Sequence, residues 1–505
     1  MLNDNQQKQY ILSLDQGTSS SRAILFDEAA NLIEVAQQEF QQIYPQSGWV
    51  EHDALEIWQT QKHVLKQVIK SAGIKPAQIS AIGITNQRET TVVWNRVTGE
   101  PIYNAIVWQD KRTAKYCQAM KDDGWETVVL RKTGLLIDSY FSATKINWIL
   151  QNVEGARELA EQGDLLFGTI DTWLLWKLTE GKQHTTDYSN ASRTLLFNSE
   201  TIEWDSELLT AFDIPASMLP TVQDSASHFG DYVIEDVTIP IMGMIGDQQA
   251  ALFGQLCLLP GEVKNTYGTG CFMLLNTGSE RKLSEQGLLS TIAWGLDGKI
   301  TYALEGSVYV AGAAIQWLRD GLEIIEHARD TEALAESVTT DDVVVVPAFV
   351  GLGAPHWDMY AKGAIYGLDR GTGRAEIAKA TLQALAFQSH DVLQAMQNDS
   401  DLDLSIMKVD GGAIANNYLA QFQADILRCD VERPSIIEST ATGAAYMAGI
   451  ASGLWTIEFL KQQREIDQTF SVLMHETKQQ QLLQRWNKAV ERTKGWLLDE
   501  EESET

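Results

Sequence analysis

The stretch "ILSLDQGTSSSRAILFDE", residues 11–28, decides the reading of this chain. Two apolar runs, 10–14 and 23–26, read as strands and flank the polar segment Asp15-Gln16-Gly17-Thr18-Ser19-Ser20-Ser21-Arg22. A two-residue Asn-Gly or Asp-Gly turn is enough to close a hairpin. An acid, a glycine, a run of hydroxyls and an arginine are more polar chemistry than that turn needs. Glycine lets backbone amides approach a phosphate, hydroxyls donate to it, and Arg22 offsets its charge. Asp15 suits Mg²⁺, held directly or through water. A long hairpin loop accounts for the same residues, so the segment gains meaning only from others like it.

Outward from that hairpin, residues 31–40 read as a third antiparallel strand. A helix follows, with Asp53 and Glu56 spaced as a capping box, Trp58, Leu65 and Ile69 on one face, and Gly73 as its stop. "ISAIGIT" (79–85) is a buried-strand run. The order βββαβ with later βα units predicts an α/β layer. After a mixed, Trp-rich middle, the strand "IPIMGMI" (239–245) runs into a helical pattern at "GDQQAALFG", and "GQLCLLPGEV" (254–263) is the candidate boundary. The chain then starts again. "VKNTYGTGCFMLLNTG" (263–278) is strand, Gly/Thr turn, strand, and "SIMKVDGGAIANNYLAQFQADIL" (405–427) is strand, double glycine, helix. This predicts two duplicated domains, 1–253 and 254–505, facing each other across a cleft.

Further polar insertions stand where apolar strands end, which is where α/β sheets bind ligands. Gly268-Thr269-Gly270 is a second donor-bearing turn. Gly246-Asp247-Gln248-Gln249 opens a helix, with Asp247 either an N-cap or a base aimed at a hydroxyl. Asp410-Gly411-Gly412-Ala413 is either a close helix–strand contact or a nucleotide seat at a helix N-terminus. "ITNQRETTVVW" (84–94) places Arg88 beside Glu89, either a surface ion pair or a donor–acceptor grip on vicinal hydroxyls. Trp108, Tyr140 and Phe272 suit either a core or apolar walls against a small polyol. No P-loop and no protein-kinase signature set is present.

Composition narrows the partners. Of 505 residues, 44% are hydrophobic and 21% charged, and 39 Lys plus Arg face 68 Asp plus Glu for a net charge of −29. That balance disfavours nucleic acid and anionic membrane surfaces. The tail Asp499–Glu502 reads as a solvated acidic end. Four dispersed cysteines without C-x-x-C spacing argue for a reducing compartment and no structural zinc. With no signal-like start and no apolar run of about 18 residues, the expected location is cytoplasmic.

Taken together, "LDQGTSSSRA", "MIGDQQAALFG" and "VDGGAIANN" resemble the phosphate and adenosine motifs of the actin-like ATPase superfamily. "YFSATKINWILQN" (140–152) and "GAIYGL" (363–368) are similar to the two signatures of its FGGY carbohydrate kinases. "GWVEHDALEIW", "NQRETTVVW", "IVWQDKRTA", "SRTLLFN" and "IEWDSELL" resemble the branch of that family that acts on glycerol. The resemblance implies two ribonuclease H-like domains around a central cleft and ATP-dependent phosphorylation of glycerol with Mg²⁺. By the same resemblance Arg88, Glu89, Tyr140, Asp247 and Gln248 hold glycerol, with Trp108 and Phe272 against its carbons. Thr18, Ser19, Ser20, Arg22, Thr269, Gly312, Gln316, Gly412 and Asn416 line ATP. Asp15 and Asp247 stand near Mg²⁺, with Asp247 the catalytic base, and the implied assembly is a homodimer or homotetramer. The resemblance implies a Gly- and Arg-containing fructose 1,6-bisphosphate loop before the strand leading to Asp247 in regulated relatives. Here "HFGDYVIEDVTIPIMG" (228–243) is short and acidic with no arginine, so that inhibition is expected to be weak or absent. A kinase for another polyol or sugar, or an ATPase switch without a small acceptor, stays open. Dependence of ATP turnover on glycerol separates them.

Overall fold

The computed structural model describes residues 9–402, 404 and 406–497, so the acidic tail lies outside the described residues. A six-stranded sheet carries the first half. Its strands are β1 (Tyr10–Gln16), β2 (Ser20–Asp27), β3 (Leu32–Glu39), β4 (Ile79–Asn86), β5 (Ala226–Ile234) and β6 (Val237–Gly246), in the spatial order β5-β6-β4-β1-β2-β3. β1, β2 and β3 are antiparallel neighbours, as their short connections dictate, while β4 lies parallel to β1 and β6 parallel to β4. The polar segment of the opening hairpin is mostly strand. Only Gly17-Thr18-Ser19 stands outside β1 and β2, closed by the Gly17 amide donating to the Ser20 carbonyl at 3.0 Å. Asp15 and Arg22 face each other across the ladder. The long loop allowed by the sequence is thus a tight turn.

Helix α1 (Ala54–Ser71) covers one face of this sheet, burying Ile57, Val64, Leu65, Val68 and Ile69. Asp53 caps it, accepting from the Leu55 and Glu56 amides. The second half of the predicted capping box is absent. The Glu56 carboxylate instead accepts from the Gln41 amide at 3.2 Å, tying α1 to the end of β3.

The second half repeats the plan. β7 (Val263–Tyr267), β8 (Cys271–Gly278), β9 (Leu289–Leu296), β10 (Lys299–Val308), β11 (Ile406–Asp410), β12 (Asp430–Pro434) and β13 (Ile466–Phe470) form a sheet in the order β9-β10-β8-β7-β11-β12-β13. The run β10-β8-β7-β11-β12-β13 has the same sequence of pairings as β3-β2-β1-β4-β6-β5: antiparallel twice, parallel twice, then antiparallel. The duplicated α/β architecture expected from the two Gly/Thr hairpins is therefore present, with β9 as an added edge strand.

The halves are not independent bodies. Helices α2 (Ile170–Leu178), α3 (Asp247–Gly254), α4 (Arg374–Ser400), α5 (Asn417–Leu427) and α6 (Ser439–Ala451) come later in the chain; α3 directly follows β6, and α6, from the second half, packs on α3 and on β1, β4 and β6. This crossing is made by small residues. A side chain at Gly443 would put its Cβ 1.9 Å from the Ala250 carbonyl oxygen, and one at Gly83 would lie 2.2 Å from that of Ala444. Backbone meets backbone there. A shared core of Ile11, Ile24, Ala81, Ile245, Ala444, Met447 and Trp455 fills the interface. No helix among the described residues is long and apolar enough to cross a membrane. All four cysteines are buried free thiols.

Candidate active site

Three strands of the first sheet stop on one line, because Gln16 pairs with Asn86 and Asn86 with Gly246. The residues that follow them are therefore neighbours in space: the Gly17-Thr18 turn, Arg88-Glu89, and Asp247. The second sheet stops in the same way, with Phe272 opposite Thr266 and Thr266 opposite Asp410. Side chains from the two sheet ends meet in one cleft.

Its floor is a buried charge network. Arg88 donates to both oxygens of Glu305 at 2.5 and 3.0 Å, to Gln249 at 3.1 Å, and lies 3.1 Å from Asp247. Arg193 donates to Glu89 at 2.7 Å and to Glu305 at 3.0 Å. Glu305 is fully buried in β10 and links the second sheet to two arginines of the first half. Burial alone would raise its carboxyl value, but Arg193 and Arg88 outweigh that and hold it down to about 2. Arg88, with Glu305 and Glu89 against it, stays firmly charged. Glu89 takes a positive φ of 58°, which turns the loop back after Arg88. The Arg88–Glu89 pair is therefore no surface ion pair, and Arg88 spends its strongest bonds on Glu305.

Above this floor stand the aromatic walls. The Trp108 ring meets Tyr140 edge-on at 5.5 Å and Phe272 at 6.4 Å. Trp108 Nε1 donates to the Thr18 hydroxyl at 3.0 Å, so the first Gly/Thr turn and the apolar wall hold one another. Asp247 is the first residue of α3 rather than its cap, which is Gly246. Its carboxylate accepts from the Gln248 amide at 2.7 Å and keeps 28% of its surface exposed. Burial in the cleft raises its pKa, with Arg88 pulling against that. It has the open side that a base toward a hydroxyl requires.

Beside the first Gly/Thr turn, Arg22 pairs with Glu438, just before α6, and lies 4.0 Å from Asp15. Asp15 is pushed up to about 6, first by burial and then, against Arg22, by the fields of Glu438 and Asp247. Carboxylates that repel one another have the chemistry to share a divalent cation, and Asp15 and Asp247 are such a pair. The Ser20 hydroxyl accepts from Gln37 at 3.1 Å, and Ser19 is exposed. In the second half Thr269 is exposed, and its carbonyl accepts from the Ala311 and Ala313 amides. Gly312 fits because a side chain there would lie 2.6 Å from the Gly268 oxygen. Gln316 is exposed on the same short helix. Gly411 has φ 92° and lies against the Tyr267 carbonyl, whereas a Cβ on Gly412 would meet open space. The helix expected directly after these glycines starts one turn later, as α5 (Asn417–Leu427). Asn416 caps it, accepting from the Leu419 amide at 3.0 Å and donating to Thr331 at 3.0 Å. Its N-terminus is thus satisfied from within, and the open face is the glycine turn itself.

Four charged residues of the site escaped the sequence reading: Arg193, Glu305, Lys264 and Glu438. A signal existed for two. Glu305 and Lys264 are the lone charges of the strand segments "ITYALEGSV" and "VKNTY", and a charge inside a strand that is covered must be paired or poised.

Family models agree with this geometry. Residues 10–254 match the N-terminal domain, and 263–452 the C-terminal domain, of the FGGY family of carbohydrate kinases. The chain belongs to that family. Within it, the chain is 58% identical over 499 residues to a glycerol kinase of Desulforamulus reducens, covering 98% of this chain and 99% of that one. It is 59% identical over 491 residues to a glycerol kinase of Caldanaerobacter subterraneus, covering 96% and 99%. The structure of Plasmodium falciparum glycerol kinase with ADP superposes with a TM-score of 0.92 at 36% identity, covering 96% of this chain and 98% of that one. A Lactobacillus acidophilus gluconate kinase superposes at 0.86 with 20% identity over 96% and 98%, a likeness of fold alone.

Proposed function

We propose that this chain transfers the γ-phosphoryl group of ATP to glycerol, giving sn-glycerol 3-phosphate and ADP. The observation that carries this reading is the meeting of Arg88, Glu89 and Asp247 with Trp108, Tyr140 and Phe272 at the ends of both sheets. A polar grip faces an apolar wall, which is what a three-carbon triol presents in two directions. Similarity to glycerol kinases along nearly the whole chain supports the same acceptor.

In this reading glycerol's hydroxyls lie against Arg88, Glu89, Tyr140 and Gln248, and its carbons against Trp108 and Phe272. The Gly17-Thr18-Ser19 and Gly268-Thr269-Gly270 turns, with Arg22, take the triphosphate. The nucleotide base lies toward Gly312, Gln316, Gly412 and Asn416. Asp247 orients one terminal hydroxyl and accepts its proton as the O–P bond forms and the bond to ADP breaks. Asp15 and Asp247 would hold Mg²⁺, which would supply charge neutralisation for the phosphates. Residues 1–253 and 254–505 act as the two lobes, whose closure excludes water and limits wasted ATP. The stretch 228–243 carries no arginine, so inhibition by fructose 1,6-bisphosphate is weak or absent in this reading, and the assembly is a homodimer or homotetramer.

The deciding experiment measures ADP release with Mg²⁺-ATP while glycerol is added or withheld, beside a panel of other polyols and sugars. Release that needs glycerol supports the reading. Release that is independent of glycerol, or driven better by a sugar, overturns it. The same assay with fructose 1,6-bisphosphate and a light-scattering mass test the two remaining statements.

A further inference from the structure

Lys264 has no role in the scheme above, yet it stands at its centre. It is fully buried, the second residue of β7. Its ammonium donates to the side-chain oxygen of Gln248 at 2.6 Å, to the Thr266 hydroxyl at 2.9 Å and to the Phe272 carbonyl at 3.2 Å. Three protons thus meet three neutral oxygens, while the carboxylates of Asp410, Glu305 and Asp247 and the Arg88 guanidinium act on it through space. Two of its three partners are residues of the proposed acceptor site, and one of them, Gln248, belongs to the other half of the fold.

We propose that Lys264 is a positioning residue for phosphoryl transfer, fixing the Gln248 amide so that its NH₂ group, and not its oxygen, is offered to the reacting oxygen beside Asp247. The inference rests on the phosphoryl-transfer reading and deepens it. An ammonium can only donate. The Gln248 side chain must therefore turn its oxygen to Lys264 and its NH₂ away from it. The residue before it is Asp247, whose carboxylate accepts from the backbone amide of Gln248 itself. A donor and an acceptor side by side complement a hydroxyl that is losing its proton. The hydrogen is given to Asp247, and the charge growing on the oxygen is met by the amide. With the amide reversed, an oxygen would face that charge and repel it. Neutral acceptors around the ammonium leave Asp247 free of a direct bond to it, so the same lysine orients Gln248 without capturing the base.

The test uses the full-length protein in four forms besides wild type: Lys264→Met, Gln248→Ala, the double variant, and Gln248→Glu. Loss of fixed geometry at a reacting atom costs on the order of 10²-fold. Lys264→Met is expected to lower kcat by about that factor, with KM for ATP changed less than about threefold. The double variant is expected to be no slower than Gln248→Ala within about threefold, because Lys264 acts through Gln248. Gln248→Glu, which can pair with Lys264 but has no NH₂ to offer, is expected to lose kcat while its melting temperature holds. The proposal is overturned if Lys264→Met keeps its kcat, if the two losses multiply in the double variant, or if Gln248→Glu stays active. The last arm decides the matter even if Lys264→Met fails to fold. A wild type without glycerol-dependent ADP release would sink the functional reading itself, which is a different result from an active wild type with independent losses.

Discussion

Glu305→Gln is the perturbation that tests the buried network most directly. Glu305 accepts from Arg88 and Arg193 and has no exposed surface. Its carboxyl value falls from 4.5 to about 2, with burial opposing and the two arginines prevailing. At 1.36 kcal/mol per pH unit that drop corresponds to about 3 kcal/mol of native-state preference for the charged form. A depressed carboxyl contributes stability that is fully present above its unfolded value and is lost as pH falls through the folded one. The contribution is therefore complete above about pH 4.5 and fades toward pH 2. Glutamine keeps the shape but leaves two buried arginines facing fewer negative charges. Removing one partner of a buried pair costs about 3–5 kcal/mol. The assay is urea denaturation of wild type and Glu305→Gln at closely spaced pH values from 7 down to 2. We expect the variant to be less stable by about 3 kcal/mol at pH 7, with the gap closing below pH 4. An unchanged urea midpoint at neutral pH, or a gap that stays constant with pH, would refute the argument that Glu305 holds the network as a carboxylate.

Asp247→Asn is expected to lower kcat by about 10²–10⁴-fold with glycerol still bound, read by steady-state kinetics and glycerol calorimetry. Arg88→Ala is expected to cost stability as well as glycerol affinity, because Arg88 is the bidentate partner of Glu305. Thermal melts and KM for glycerol should shift together, and a KM change without a melting change would contradict this. Gly411→Ala, forcing a Cβ to 2.3 Å from the Tyr267 oxygen at a φ of 92°, should raise KM for ATP and cost about 1–3 kcal/mol in urea denaturation. Asp15→Asn should raise the Mg²⁺ concentration for half-maximal rate at least about tenfold, and EDTA should abolish turnover of the wild type.

The amino-acid sequence by itself determined the local geometry of this protein. Apolar runs at 10–14, 79–85 and 239–245 and the strand–turn–strand pattern at 263–278 pointed to strands that the structure extends by a residue or two, and the Gly/Thr turns at 17–18 and 268–270 marked both hairpins. Strand ends displayed Asp15, Arg88, Asp247 and Gly412 because backbone hydrogen bonding stops there and side chains become available. Helix ends were less legible. Asp53 alone caps α1, and the glycines at 411–412 stand a turn before α5, since the third residue of a cap or a turn is free to answer to tertiary partners such as Gln41. Tertiary structure alone decided which charges meet. Arg88 and Glu305 are 217 positions apart, and Gln248 and Lys264 lie on opposite sides of the boundary between the halves. Periodicity records only which side of an element is covered, and a charge in a buried strand shows that a partner is required without showing where it is. Only the stacking of two duplicated sheets end to end brought Glu305 under Arg88 and Arg193, and Lys264 behind Gln248.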